Sequence, residues 1–387
     1  VHERCVPGQG ACAGADELSE ASASDRIGVR TQQDALVESG LDHLDQRSQV
    51  HGVLLLTAMS VEGKPERFVL PAAMQSPLTG TVPRRVGSVR RTSHVDMTFT
   101  AKGLLLTGAA RDLLTDAGGA AAMLGEATVR AELTAGDVLL TITTAPVHSE
   151  LGALNGLVVG KGFRAALHQA LPDEMAACTP LALVLDELPV AAMISKYVNL
   201  YDGSPIRSDR SGVVRLDICS GFRHDGTMLV GLRDRGRIPA PQGPPAPELT
   251  HADDPLAWHH LPALTPVSMR RRRLLDVTPG IDGGPHAVYA MFRDTAMLIA
   301  GEETVLHEYA LLATVDPATA TLIECNALPR VLPWVECPVA GASAWRLHGR
   351  KVSEIRDTVR NEFHGVSTCT HLNDLLRSLG DVEVLLR

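Results

Sequence analysis

The sequence predicts an α+β fold built as a tandem duplication, each module a four-stranded sheet followed by covering helices. Three observations carry this. First, Ser88-Val89-Arg90-Arg91 with Asp96 matches Ser268-Met269-Arg270-Arg271 with Asp276 at an offset of 180, Arg111-Asp112 matches Arg293-Asp294 at 182, and Cys178-Thr179-Pro180-Leu181 matches Cys369-Thr370-His371-Leu372 at 191. A small, nearly constant offset is the trace of duplication with loop changes. Second, each copy runs through alternating or apolar stretches of strand length before its spacing becomes helical. Third, the second copy gains residues around 330–338 and has His371 where the first has Pro180, so the first copy reads as degenerate and the second as the one bearing a site.

The elements follow in order. Residues 1–80 form a polar, mobile lead-in with a helical stretch at 31–44, ending in a hairpin of strands 51–59 and 66–74 about Gly63 and Pro65. The first module, 81–195, has strands at 89–98, 103–110, 127–133 and 138–144, then helices at 162–171 and 179–188. An insert follows over 196–265, with strand-like stretches at 213–219 and 228–232. Its proline-rich segment 238–247 lacks the backbone donors of a helix or interior strand and is expected to lie as a semi-rigid strap, pinned by Trp258-His259-His260-Leu261-Pro262. The second module, 266–387, repeats the order with strands at 273–277, 287–293, 304–315 and 321–327. Its helices fall at 339–347, 352–363 and 370–379, and helices covering one sheet face complete the module.

Composition bounds the function. With 387 residues, 45% apolar and 21% charged, the chain can bury cores without disulfides. A net charge of -9 gives no basic surface for nucleic acid. Seven cysteines without CxxC spacing suggest reduced thiols, and neither a signal peptide nor an apolar run of membrane-spanning length is seen; a cytoplasmic location away from membranes is therefore expected. No dinucleotide, P-loop, nucleophile-elbow or HExxH motif stands in a useful context.

The residues left for chemistry lie in the second module. Cys369 precedes a helix after Ser367-Thr368, where the helix dipole favours a thiolate, and His371 follows two residues on. Cys337 precedes another helix. Cys337, Cys369 and His371 make a partial ligand set for zinc or iron, with Asp294, Asp276, His307 or Cys219 as a fourth. Read as catalysts instead, Cys369, His371, Asp294 and His307 supply a thiolate, bases and a carboxylate. Packing competes with each role: buried cysteine is common, and the first copy keeps Cys178 without a histidine. The Arg111-Asp112 and Arg293-Asp294 pairs read as turn-fixing ion pairs, and 270–273 as a solvated strand entry.

On the residues 271–276, Phe292-Arg293-Asp294, His307-Glu308-Tyr309, 329–338 and Cys369-Thr370-His371-Leu372-Asn373-Asp374, the second module resembles the bacterial family known as domain of unknown function 2889. That resemblance covers about 266–384 and implies a domain, not an activity. The order of sheet, cysteine, helix and second cysteine is also similar to the iron-sulfur scaffold and zinc-dependent sulfur-transfer proteins of the NifU-like fold, which implies cysteines as metal holders. The expected function is a small-molecule enzyme of lyase, isomerase or hydrolase type whose two modules form a pseudo-dimer within one chain. The rival is a noncatalytic ligand-binding or scaffold protein with structural cysteines.

Overall fold

Eight runs of strand length alternate faces so regularly that a single sheet can bury both of its sides. The computed structural model describes residues 76–201, 215–235, 238–241, 243–250 and 253–386; the helix expected at 31–44 and the hairpin expected at 51–74 lie outside them. The strands are β1 (Val89–Thr100), β2 (Gly103–Thr115), β3 (Ala121–Thr134), β4 (Leu139–Ala145), β5 (Ser268–Thr278), β6 (His286–Met297), β7 (Glu303–Asp316) and β8 (Thr321–Val331). They form one antiparallel sheet in the order β4-β3-β2-β1-β5-β6-β7-β8. The helices are α1 (Phe163–Ala170), α2 (Pro172–Ala177), α3 (Pro180–Ile194), α4 (Thr227–Arg235), α5 (Ile355–Glu362), α6 (Thr370–Ser378) and α7 (Val382–Leu385). The fold is α+β, with two four-strand sets joined edge to edge through β1 and β5.

Buried ion pairs fix the register of that junction. Arg90 lies opposite Asp276 and Asp96 opposite Arg270. Arg90 binds Asp276 with two bonds of 2.7 Å, and Arg270 binds Asp96 with bonds of 2.6 and 2.7 Å. An offset of 180 carries the first pair onto the second. Because strand side chains alternate with period two, a one-residue slip of either strand would send its two charges to the opposite face from their partners.

One face is covered by helices, and α3 enters behind Thr179, whose hydroxyl caps the amide of Ala182. Here Leu106, Val129, Val184 and Leu188 build one core, and Phe292, Tyr309, Leu311, Leu372 and Leu376 build a second. The other face carries the strap. Backbone carbonyls of the irregular segments on this face need donors, and sheet arginines provide them: Arg90 donates to the carbonyls of Ala257 and Val82, Arg111 to that of Leu256, and Arg293 to those of Pro247 and Leu78. Gly243 lets the strap approach β7 closely, since a Cβ there would lie 1.5 Å from the Val305 carbonyl oxygen. Trp258 is buried with Leu249, Leu274 and Met291 and pins the strap as expected.

Several expectations need correction. Arg270 to Arg273 are not a solvated entry: all four are buried, Arg270 and Arg272 toward the strap and Arg271 and Arg273 toward the helices. The segment expected as a strand at 228–232 belongs to α4, and the described part of 213–219 forms no strand. The helix expected at 339–347 is a 3-10 segment, Cys337–Leu347, and α3 runs on through Pro189 to Ile194. Arg293-Asp294 does not pair internally, because neighbouring strand residues face opposite sides: Arg293 pairs with Glu308 and Asp294 with Arg271.

Under the strap, His94 Nδ1 and His259 Nε2 are 2.7 Å apart, and His259 Nδ1 lies 2.8 Å from the Thr92 hydroxyl. One ring nitrogen must donate and the other accept. Burial pushes His94 down to about 3 and His259 down to about 2, reinforced for both by Arg270 and Arg272, for His94 by His260 and for His259 by Arg111. The unfolded chain, with histidines near ~6.5, therefore binds more protons across this window. The pair's contribution to stability is complete above that value and is lost as pH falls from it toward about 3. Urea midpoints should fall with pH below neutrality, and a His94→Asn, His259→Asn double variant should fall less steeply; equal slopes would show that the pair does not titrate on unfolding.

Candidate metal centre

Alternation along β6 and β7 turns Asp294 and His307 to the helix face, and the register sets them directly opposite each other. The register then shifts after Asp294, so Thr295 faces Val305 and one residue of β7 bulges. From above, α6 begins behind Cys369, and its first turn lowers His371 onto the sheet. The rings of His371 and His307 stack with centroids 3.9 Å apart, and His371 also stacks over Phe292 at 6.3 Å. Asp294 Oδ2 lies 4.0 Å from His371 Nε2. One ligand atom from each of Asp294, His307 and His371 lies within 4.8 Å of the others.

The cluster is buried, with Asp294 at 0%, His307 at 4% and His371 at 7% exposure. Burial lowers His371 to about 3, helped by Arg271, and holds His307 well below the ordinary histidine range, helped by His371 and Arg271. Burial thus disfavours the charged form of both imidazoles, and the neutral form is the one that ligates metals. Burial also lifts Asp294 to about 7 against the opposing pull of Arg271. Among the described residues, neither oxygen of Asp294 nor Nε2 of His371 has a hydrogen-bond partner. Buried polar atoms are almost always satisfied, so this concentration needs an explanation. Two nitrogens and a carboxylate are a donor set that suits zinc, iron and neighbouring transition metals, and a cation would satisfy the carboxylate.

Arg271, which the sequence placed at a solvated entry, stands beside the cluster. Its Nε is 3.5 Å from Asp294 Oδ1, and Nη1 is 4.0 Å from Asp374, one helical turn beyond His371. None of its three nitrogens makes a hydrogen bond among the described residues. Phe292 lies beneath its guanidinium at 5.2 Å. Tyr197 meets His307 edge-on at 5.8 Å. The signal that could have found Arg271 was alternation: a four-arginine strand in a buried sheet must aim two arginines at each face.

The cysteines stand apart. Cys369 Sγ is 3.9 Å from His371 Nδ1, yet neither Cys369 nor Cys337 belongs to the three-residue cluster. A side chain at Gly221 would strike Cys337 Sγ, which shows how closely the 3-10 turn Ser220–Phe222 packs there. Burial raises Cys337 well above the usual thiol range and Cys369 to about 12. Of the further ligands considered, Asp276 faces the strap with Arg90, and Cys219 is buried near Cys337 and Cys369.

The first half offers a comparison within the molecule. There Arg111 faces Glu126, Asp112 faces Gly125, and the register shifts after Asp112, as it does after Asp294. Gly125-Glu126 thus stand opposite Asp112 and Arg111 as His307-Glu308 stand opposite Asp294 and Arg293. Arg91 binds Asp112 with two bonds of 2.7 Å. A Cβ on Gly125 would lie 3.4 Å from Pro180 Cγ, so glycine and proline meet where His307 and His371 stack in the second half.

These features define an α+β sheet protein with a buried two-histidine, one-aspartate cluster in its second half. Residues 269–385 match the family described as Protein of unknown function (DUF2889). No curated protein and no solved structure matches the chain. No helix among the described residues is long and apolar enough to cross a membrane.

A protonated, enclosed thiol is a poor nucleophile. Iodoacetamide at pH 8 should modify Cys337 and Cys369 of the native chain at least ~100-fold more slowly than a free thiol, with Cys178 ahead of both, as peptide mass mapping would show. Rapid labelling of Cys369 would mean that it is an accessible thiolate.

Proposed function

We propose that the protein is a small-molecule enzyme holding one divalent transition metal, of the zinc or iron kind, on Asp294, His307 and His371. The supporting observation is the convergence of two neutral imidazoles with a buried carboxylate whose oxygens lack hydrogen-bond partners. Three protein ligands leave coordination positions for water or substrate, and the metal would supply Lewis acidity suited to lyase, isomerase or hydrolase chemistry. The chain's own residues supply the rest: Phe292 and Tyr197 wall the rings, Asp294 carries the charge, and Arg271 sets a second positive group beside it. Cys337 and Cys369 serve packing in this reading. A noncatalytic scaffold is favoured by one observation, the near-complete burial of the cluster.

Cobalt(II) titration of metal-free protein should reach about one ion per chain, be lost in His307→Ala and His371→Ala, and persist in Cys337→Ser. Binding that needs Cys337 but not His307 would move the site. Rapid exchange of metal-bound water would favour the enzyme over the scaffold.

We also infer that the halves are a duplicated module paired as a pseudo-dimer, the first having lost the site. Support comes from the seam pairs related by 180, the matching Arg-Asp pairs and the shared register shift. Installing the missing ligands tests this: a Gly125→His, Pro180→His variant beside Asp112 should raise cobalt stoichiometry from about one toward two. A folded variant that stays at one would count against equivalence of the two places. The described cysteines are all free, which supports a reducing, cytoplasmic setting.

A further inference from the structure

We propose that this metal site takes a small carboxylate-bearing molecule, its carboxylate held jointly by the metal and the Arg271 guanidinium. The proposal rests on the metal reading above and names the substrate class of the same site.

Charge is the first argument. Around the cluster, Arg271 and Arg273 face Asp294, Asp374 and Glu187, while Arg164 and Arg377 close on Asp186 and Asp374. Four guanidinium groups thus meet four carboxylates, and with the carboxylates ionised the charges cancel. A divalent ion on Asp294, His307 and His371 therefore brings two positive charges into a buried region that is already balanced. Uncompensated charge away from water is costly, so an anion entering with the metal would offset part of it.

Geometry says where it would bind. Arg164 and Arg377 donate hydrogen bonds to carboxylate or backbone oxygens, and Arg273 Nε lies 2.7 Å from Glu187. Arg271 differs. It is wholly buried, all three of its nitrogens lack hydrogen-bond partners among the described residues, and its ion-pair distances to Asp294 and Asp374 are long at 3.5 and 4.0 Å. The guanidinium carbon lies 5.2 Å from the Phe292 ring centroid, an apolar neighbour that offers its N–H groups no acceptor. A guanidinium edge presents parallel N–H groups that match a carboxylate better than a spherical or neutral ligand. Asp294 lies near both groups, Arg271 through Oδ1 and His371 through Oδ2, so the guanidinium and the metal ligands share this carboxylate as a neighbour.

The test uses the cobalt(II)-loaded full chain and its visible absorption bands, with formate as the smallest carboxylate and formamide as its neutral counterpart. The expected result is a saturable change with formate and none with formamide. In Arg271→Lys, which keeps the charge and loses the fork, cobalt stoichiometry should hold while formate affinity falls at least tenfold. The wild-type comparison needs no variant, so it decides the matter even if Arg271→Lys fails to fold. No change with formate, an equal change with formamide, or undiminished formate binding by a folded Arg271→Lys chain would overturn the proposal and leave the metal site standing. Failure to bind cobalt at all would remove the metal reading itself, and this one with it.

Discussion

Where β1 meets β5, each strand offers the other one arginine and one aspartate, and all four side chains are sealed between the sheet and the strap. The arginine of a buried pair left without its aspartate costs about 3–5 kcal/mol, a large share of an ordinary domain's stability. Of the registers open to these strands, the one observed satisfies both pairs together. That constraint turns two four-strand sets into one sheet, and the remaining elements hang from it. The segments before β1 and before β5 lie over the seam, where Arg90 and Arg270, while bound to their aspartates, still have N–H groups to give to the carbonyls of Val82, Ala257 and Pro262.

The seam also settles which residues reach the site. Once Arg270 faces the strap, Arg271 must face the helices, and the β5–β6 register sets Asp294 beside it. The β6–β7 register adds His307, and α6 sets His371 above. Each half lends charge to the other: Asp381 from the end of the chain binds Arg91 of β1, and Glu187 of α3 binds Arg273 of β5. A metal held by the second half would therefore sit in a field that both halves make.

Much of this was legible in the residues. Alternating and apolar runs located most of the strands, and His371, which the structure places in the cluster, already stood out at the start of a helix. Asp294 and His307 were candidates because they stood at strand positions where the halves differ or carry charge. What escaped was whatever depended on facing. The run of arginines resembled a solvent-exposed entry because charge usually means water, but its alternation placed two guanidinium groups on each buried face. The cysteines drew attention through their position before helical segments, while depth decides their chemistry, and depth is a property of the packed sheet. The pairing of His94 with His259 joins a strand to a strap 165 residues away and has no local signal.

X-ray absorption at the edge of the metal bound to anaerobically purified protein would read the ligand set itself. A metal on Asp294, His307 and His371 gives a first shell of nitrogen and oxygen alone, with the multiple scattering of two imidazoles and no sulfur. Sulfur scatterers at about 2.3 Å, the distance of a thiolate ligand, would contradict it and return the site to Cys337 and Cys369.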